Sequence, residues 1–229
     1  MTTGKSALII GASRGLGYAL AAEFLRRGWQ VTATERTPSA LHELAKSAEG
    51  RLTVETVDIT APEQVAALRA RLGRFDLLFV NAGTNYTTDP SATFADVSTE
   101  DFTRVMVTNA LSPMRVVETL QDLVPATGTI GVMSSGQGSV SGNTNGGFEV
   151  YRASKSALNQ LMRSFAARHA DDPRTLLLMA PGWVKTDLGG PSARLTVDES
   201  IPGVADTIEA WAGKGGLHYL DRQGQTVNW

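Results

Sequence analysis

The stretch SALIIGASRGLG, Ser6 to Gly17, decides the fold. Its first residues form a short apolar run, the pattern of a buried strand over 6–10. Glycines then recur at Gly11, Gly15 and Gly17 as a helical pattern opens over 15–27. Such a loop allows a tight turn and lets the main chain approach a pyrophosphate, which the positive end of the helix favours. The spacing is G-x-x-x-G-x-G rather than G-x-G-x-x-G, and a plain structural turn is the alternative reading. Its place between first strand and first helix points to a bound dinucleotide, with Gly11, Ser13, Arg14, Gly15, Leu16 and Gly17 against it.

Working outward, β-rich apolar runs alternate with helical patterns along nearly the whole chain. The runs predict strands over 6–10, 30–35, 52–57, 76–80, 128–133, 174–179 and 217–220. Helices are predicted over 15–27, 39–46, 62–72, 99–123, 150–169 and 197–212. Three helix starts read as capping boxes: Thr60 with Glu63, Ser98 with Asp101, and Thr196 with Glu199. Runs such as Leu77-Leu78-Phe79-Val80 are apolar throughout, as expected of strands covered by helices on both faces. The pattern predicts an α/β fold: one doubly wound Rossmann domain with a seven-stranded, mostly parallel sheet. No linker or repeat divides it, so a cofactor half (1–125) and a catalytic half (126–229) are expected within one domain.

Composition narrows the function. The chain has 229 residues, 42% apolar and 19% charged, with a net charge of -2. That balance gives no sign of a nucleic-acid or polyanion partner. Without cysteine, disulfides and thiolate metal sites are excluded, and His42, His169 and His218 are too scattered to suggest a metal. The N-terminal stretch lacks a signal-peptide pattern and no run is long enough for a membrane helix, so a cytoplasmic protein is expected.

At the end of the second strand, where the adenosine ribose of a dinucleotide belongs, the chain reads Thr34-Glu35-Arg36. A carboxylate there suits the ribose hydroxyls of NAD, and an arginine suits the extra phosphate of NADP. With Arg14 as a second cation, NADP is the expected cofactor. In the alternative, Glu35 binds the ribose of NAD and takes Arg36 as its ion-pair partner.

Tyr151 and Lys155 stand four residues apart in the predicted 150–169 helix, hence on one face. A phenol, with an ordinary pKa of about 10, is a proton donor at neutral pH, and a nearby ammonium stabilises its phenolate. The pair therefore suits proton transfer to or from a substrate oxygen.

The set Gly11-x-x-x-Gly15-x-Gly17, Asn81-Ala82-Gly83, a serine after the fifth strand, Tyr151-x-x-x-Lys155 and Pro181-Gly182 resembles the short-chain dehydrogenase/reductase family. Gly146-Gly147 ahead of Tyr151, and the brief segment after Pro181-Gly182, look closest to its small C-factor-like or carbonyl-reductase-like members. The resemblance implies an NAD(P)-dependent enzyme interconverting a ketone or aldehyde and its alcohol, with Asn109, Ser135, Tyr151 and Lys155 as the catalytic set. Ser135 is taken over Ser134 on the same ground, with Ser139 a weaker candidate.

It further implies that Asp58 and Ile59 meet the adenine and that Asn81, Ala82 and Gly83 lie along the cofactor. Pro181, Gly182, Val184 and Thr186 would then hold the nicotinamide end, with Lys155 reaching its ribose. By the same analogy a homodimer or homotetramer is expected, using apolar surface such as Val105, Leu158, Leu161, Met162 and Phe165. Two further readings stand beside it: a dinucleotide-binding signalling protein of C-factor type, and an epimerase or dehydratase.

Pro113 lies four residues after Asn109 and has no N–H for that residue's carbonyl. The freed carbonyl is expected to hold a water linked to Lys155. Loops 84–97, 136–148 and 185–195 are expected to line the substrate mouth, with Trp183 and Leu188 as walls or as core.

Overall fold

The computed structural model describes residues 4–87 and 89–229. Thr88, within a loop expected to line the substrate mouth, lies outside the described residues, as do Met1, Thr2 and Thr3.

Seven strands form one sheet: β1 (Ser6–Ile10), β2 (Gln30–Glu35), β3 (Leu52–Thr56), β4 (Leu77–Val80), β5 (Thr129–Met133), β6 (Thr175–Ala180) and β7 (Gly216–Asp221). The order is β3-β2-β1-β4-β5-β6-β7, and every neighbouring pair is parallel. The sheet is thus wholly rather than mostly parallel. It is a Rossmann-type sheet whose winding reverses between β1 and β4, the point where a crevice opens at the strand ends.

Strand alternation explains why the central strands β1 and β4 are apolar on both faces. Leu8 and Ile10 of β1 pack with Val65 and Leu68 of α3 (Pro62–Arg69), Val116 and Val117 of α5 (Ser112–Leu120), and Leu158, Met162 and Phe165 of α6 (Glu149–Arg168). Ala7 and Ile9 face the other way. They meet Leu20 and Phe24 of α1 (Gly15–Arg26), Leu41 of α2 (Leu41–Ser47) and Ile201, Val204 and Ile208 of α7 (Val197–Trp211). Each face therefore has its own apolar core. Among the described residues, no helix is long and apolar enough to cross a membrane.

Two local expectations are corrected. The predicted helix over 99–123 is α4 (Thr99–Met106), a π-helical turn (Val107–Leu111), α5 and a 3-10 turn (Gln121–Leu123). In the wide turn the Ser112 N–H bonds Val107 O, five residues back. Pro113 then falls in the first turn of α5, where its missing N–H costs little. The capping box at Thr60 is also absent. Thr60 instead donates its N–H and hydroxyl to Asp58 Oδ1, at 2.8 and 2.7 Å, and α3 starts with Pro62 behind Ala61, whose side chain supplies no cap. Thr196 forms the full box with Glu199, whereas the Ser98 hydroxyl accepts from the Asp101 N–H and donates to its carboxylate.

The sheet centre is tightly filled. A Cβ added to Gly131 of β5 would stand 2.6 Å from Cδ2 of the fully buried Phe79 ring on β4. Gly131→Ala is expected to lower the unfolding free energy by about 1–3 kcal/mol, read as a lower urea midpoint at unchanged slope.

Candidate active site

The crevice between β1 and β4 is shaped by three contacts that admit no side chain. Gly11 has φ +82°, and an added Cβ would lie 2.7 Å from Ala82 Cβ. One on Gly17 would lie 2.2 Å from Gly11 O and 2.5 Å from Asn81 Nδ2. Asn81 Nδ2 donates to Gly11 O at 2.7 Å, tying β4 to the loop. Thr34 ties in β2: its carbonyl accepts from Ala12 N–H at 2.7 Å and its hydroxyl from Gly11 N–H at 2.9 Å.

Helix α1 starts in this loop with no side-chain cap and no acidic residue in its first turn, unlike α4 and α7. Its N–H groups and dipole are left for an external anion, which fits the pyrophosphate of a dinucleotide. Across the crevice lies the turn bearing Thr186, whose Cγ2 is 3.5 Å from where a Gly15 Cβ would stand. Arg14 Nη1 reaches Asp187 Oδ2 at 2.7 Å. Thr186 Oγ1 accepts from Gly189 N–H at 3.0 Å, Gly182 takes φ +88°, and Pro181 O accepts from Ser200 Oγ at 2.7 Å. Val184 is buried and pairs with Leu195, while Trp183 and Leu188 are exposed and so are not core.

At the expected ribose end, Glu35 is only 2% exposed. Its carboxylate accepts from Ser39 Oγ at 2.5 Å and contacts His42 Nε2 at 2.7 Å. It does not pair with Arg36, contrary to the alternative weighed from sequence, and Arg36 is exposed. Burial works against ionisation of Asp58, but the two bonds from Thr60, with Arg36 nearby, hold its carboxyl below its ordinary range. Ile59 is packed into the core.

The four expected catalytic residues converge from three elements. Asn109, fully buried in the π-helical turn, uses its whole side chain: Oδ1 accepts from Thr84 N–H at 2.7 Å, and Nδ2 donates to Thr84 O at 2.8 Å and Ser154 Oγ at 2.9 Å. An added Cβ on Gly83 would be 3.5 Å from both Asn109 Oδ1 and Lys155 Nζ, so these lie side by side. Lys155 Nζ donates to Met133 O at 2.8 Å and stands 5.7 Å from the centre of the Tyr151 ring.

Of the two serines after β5, Ser134 is buried and gives its hydroxyl to Asn159 Oδ1 at 2.6 Å. Ser135 is half-buried, and its Oγ accepts from Gln137 N–H at 3.2 Å. Ser139 is buried and caps Gly142 N–H, a structural position. Burial of its hydroxyl end pushes the Tyr151 phenol up to about 12, against a lowering bond from the Ser135 hydroxyl. Burial also brings Lys155 down to about 8.

Sequence reasoning missed Thr34, Ser154, Asn159 and Tyr219, which hold these groups in place. None belongs to a motif with a chemical spacing.

The chain matches the short chain dehydrogenase family over residues 5–194. It belongs to that family. Its fold and sequence are similar to a Burkholderia multivorans protein of the short-chain dehydrogenase/reductase type solved with bound NADP, at 59% identity and TM-score 0.96, covering 99% of this chain and 100% of that one. A carbonyl reductase from Pseudomonas aeruginosa PAO1 in complex with NADP is 36% identical, with TM-score 0.89 and coverage of 99% and 100%. C-signal of Myxococcus xanthus is 33% identical over 159 residues, 69% of this chain and 94% of that protein. The short-chain dehydrogenase described here is thus an NAD(P)-dependent oxidoreductase.

The buried pair has a signature in stability. Lys155 falls from the ordinary 10.5 to about 8 on folding, so between these values the unfolded chain binds more protons and stability rises with pH. Tyr151 rises from 10.0 to about 12, so there the folded chain binds more protons and stability falls. Lys155→Met is expected to remove the rise between pH 8 and 10 and keep the fall above it, measured as urea midpoints against wild type.

Proposed function

We propose that this dehydrogenase interconverts a ketone or aldehyde with its alcohol, with Tyr151 as general acid and base, assisted by Lys155, Ser135 and Asn109. The observation that carries this is the meeting of Tyr151, Lys155 and a free-facing Ser135 beside a glycine loop shaped for a dinucleotide. The cofactor, when bound, supplies or accepts the hydride.

The protein's part is to place charge and protons. With its pKa pushed up to about 12, Tyr151 holds its proton at neutral pH and is ready to give it to the oxygen of a substrate being reduced. Lys155, at about 8, is still largely cationic there and stabilises the phenolate left behind. Ser135 Oγ donates to the same substrate oxygen, a bond that strengthens as negative charge develops. Asn109 has no side-chain atom to spare, so its role is twofold: it anchors Thr84 and Ser154, and its main-chain carbonyl holds a water linked to Lys155 that returns protons from solvent. Asn81, Ala82 and Gly83 lie along the cofactor, Asp58 and Ile59 border the adenine, and Pro181, Gly182, Val184 and Thr186 hold the nicotinamide end.

NADP is the preferred dinucleotide in this proposal. With the Glu35 carboxylate engaged by Ser39 and His42, the end of β2 offers the cation of Arg36 rather than an anion, and Arg14 of the glycine loop adds another on leaving its exposed ion pair with Asp187. The bound NADP of two similar proteins supports the same choice.

A second reading, a dinucleotide-binding signalling protein, has the similarity to C-signal in its favour. It leaves the raised pKa of Tyr151 and the buried Lys155 without a purpose, so turnover is the stronger reading. The whole chain is proposed to work as one domain, and as a homo-oligomer in the cytoplasm. Val105, Leu158, Met162 and Phe165 are core residues, which leaves Leu161 and Leu111, each 40% exposed, on the apolar groove between the π-helical turn and α6 as the contact.

Wild type should reduce members of an aryl-ketone and 1,2-diketone panel with NADPH, and Tyr151→Phe should lose about 10²–10⁴-fold in kcat. Binding of both dinucleotides without any turnover would favour the signalling reading. In fluorescence titrations, Arg36→Ala should weaken NADPH binding about tenfold and leave NADH unchanged, the loss of one charge-assisted bond. Leu161→Lys should shift the particle seen by light scattering to the monomer.

A further inference from the structure

Ser135 sits on a turn that is held from elsewhere in the chain. Its carbonyl accepts from Gly138 N–H at 2.8 Å, which closes the turn. The same carbonyl accepts a second bond, from the phenol of Tyr219 on β7, two strands away from β5 across β6. From the other side, α6 reaches the turn through Asn159. Asn159 Oδ1 accepts from Ser134 Oγ at 2.6 Å, and its Nδ2 donates to Gly138 O at 3.2 Å. Ser156 Oγ donates to Gly138 O as well, at 3.0 Å. The turn bearing Ser135 is therefore suspended between α6 and β7.

Tyr219 is itself fixed. Only 1% of it is exposed, and its ring meets that of Trp229 in a T-shaped contact with centres 5.5 Å apart. Burial pushes its phenol up, so it remains a donor throughout the neutral range. The Ser135 carbonyl already has a partner in Gly138, so the bond from Tyr219 is not needed to satisfy it. What the second bond adds is a fixed direction.

We propose that Tyr219 is a positioning residue for Ser135, orienting its hydroxyl toward the substrate oxygen by anchoring the Ser135 carbonyl to the edge strand β7. This rests on the reading of Ser135 as the donor to that oxygen. Small errors in placing such a donor reduce the transition-state interaction while leaving cofactor binding alone.

The test is a double-mutant cycle on the intact protein, with NADPH and an aryl ketone or 1,2-diketone from the panel. Tyr219→Phe is expected to lower kcat about tenfold, with the KM for the ketone and the affinity for NADPH within about twofold. In the Ser135→Ala background the same change should cost less than about twofold, because the group being positioned is gone. An unchanged kcat in Tyr219→Phe, or a full tenfold loss repeated on Ser135→Ala, overturns the inference. Ser135→Ala matching wild type overturns the role of Ser135 instead. Loss of NADPH binding in a folded Tyr219→Phe also overturns it, since a positioning role leaves the cofactor site alone.

Discussion

The structure depends on the approach of the glycine loop to the end of β4. Gly11 lies against Ala82, and Gly17 lies against Gly11 O and Asn81, so closely that a single added carbon at either glycine would collide. This contact sets α1 with its uncapped N-terminus facing the crevice, and Asn81 and Thr34 lock it by hydrogen bonds from β4 and β2. A parallel sheet makes the contact available because β1 and β4 end on the same side. The catalytic candidates are then placed relative to that floor: Gly83, next after Ala82, touches the positions of both Asn109 and Lys155.

Burial gives the site its chemistry. The same packing that encloses Tyr151 raises its pKa, and the enclosure of Lys155 lowers its own. The two shifts move the phenol and the ammonium apart on the pH scale, from 10.0 and 10.5 to about 12 and about 8, so at neutral pH the phenol holds its proton while the lysine is still mostly charged. The cost is a lysine held in the protein interior by one carbonyl, that of Met133, at 2.8 Å. The π-helical turn is the matching backbone feature on the other wall, since it seats Asn109 in the site and Pro113 in a helix start.

Much of this was legible in the sequence because it is local. The seven strands and the main helices follow from hydrophobic period, and the glycine loop and the Tyr151–Lys155 spacing follow from short motifs. Where local rules competed, sequence reading failed. Thr60 has the residue pattern of a cap, but Asp58 two residues earlier offers its hydroxyl and N–H a nearer acceptor. The segment 99–123 has one helical period, yet a proline near its middle favours a change of helix type over a kinked α-helix. Ser134 and Ser135 are chemically identical in sequence, and only strand direction separates the one bonded to Asn159 from the one facing Tyr151.

The sequence by itself determined the fold class, through alternating runs along the chain, and the glycine loop and the tyrosine–lysine spacing, because each of these is written within a few consecutive residues. Tertiary structure alone decided the direction of Glu35, which binds Ser39 and His42 rather than Arg36, and the tether from Tyr219 to Ser135. The first is settled by how the chain turns after β2 into α2, and the second by the sheet, which brings β7 within reach of the turn after β5. The residues that bear the chemistry carry a motif, whereas the residues that aim them need only be close in space.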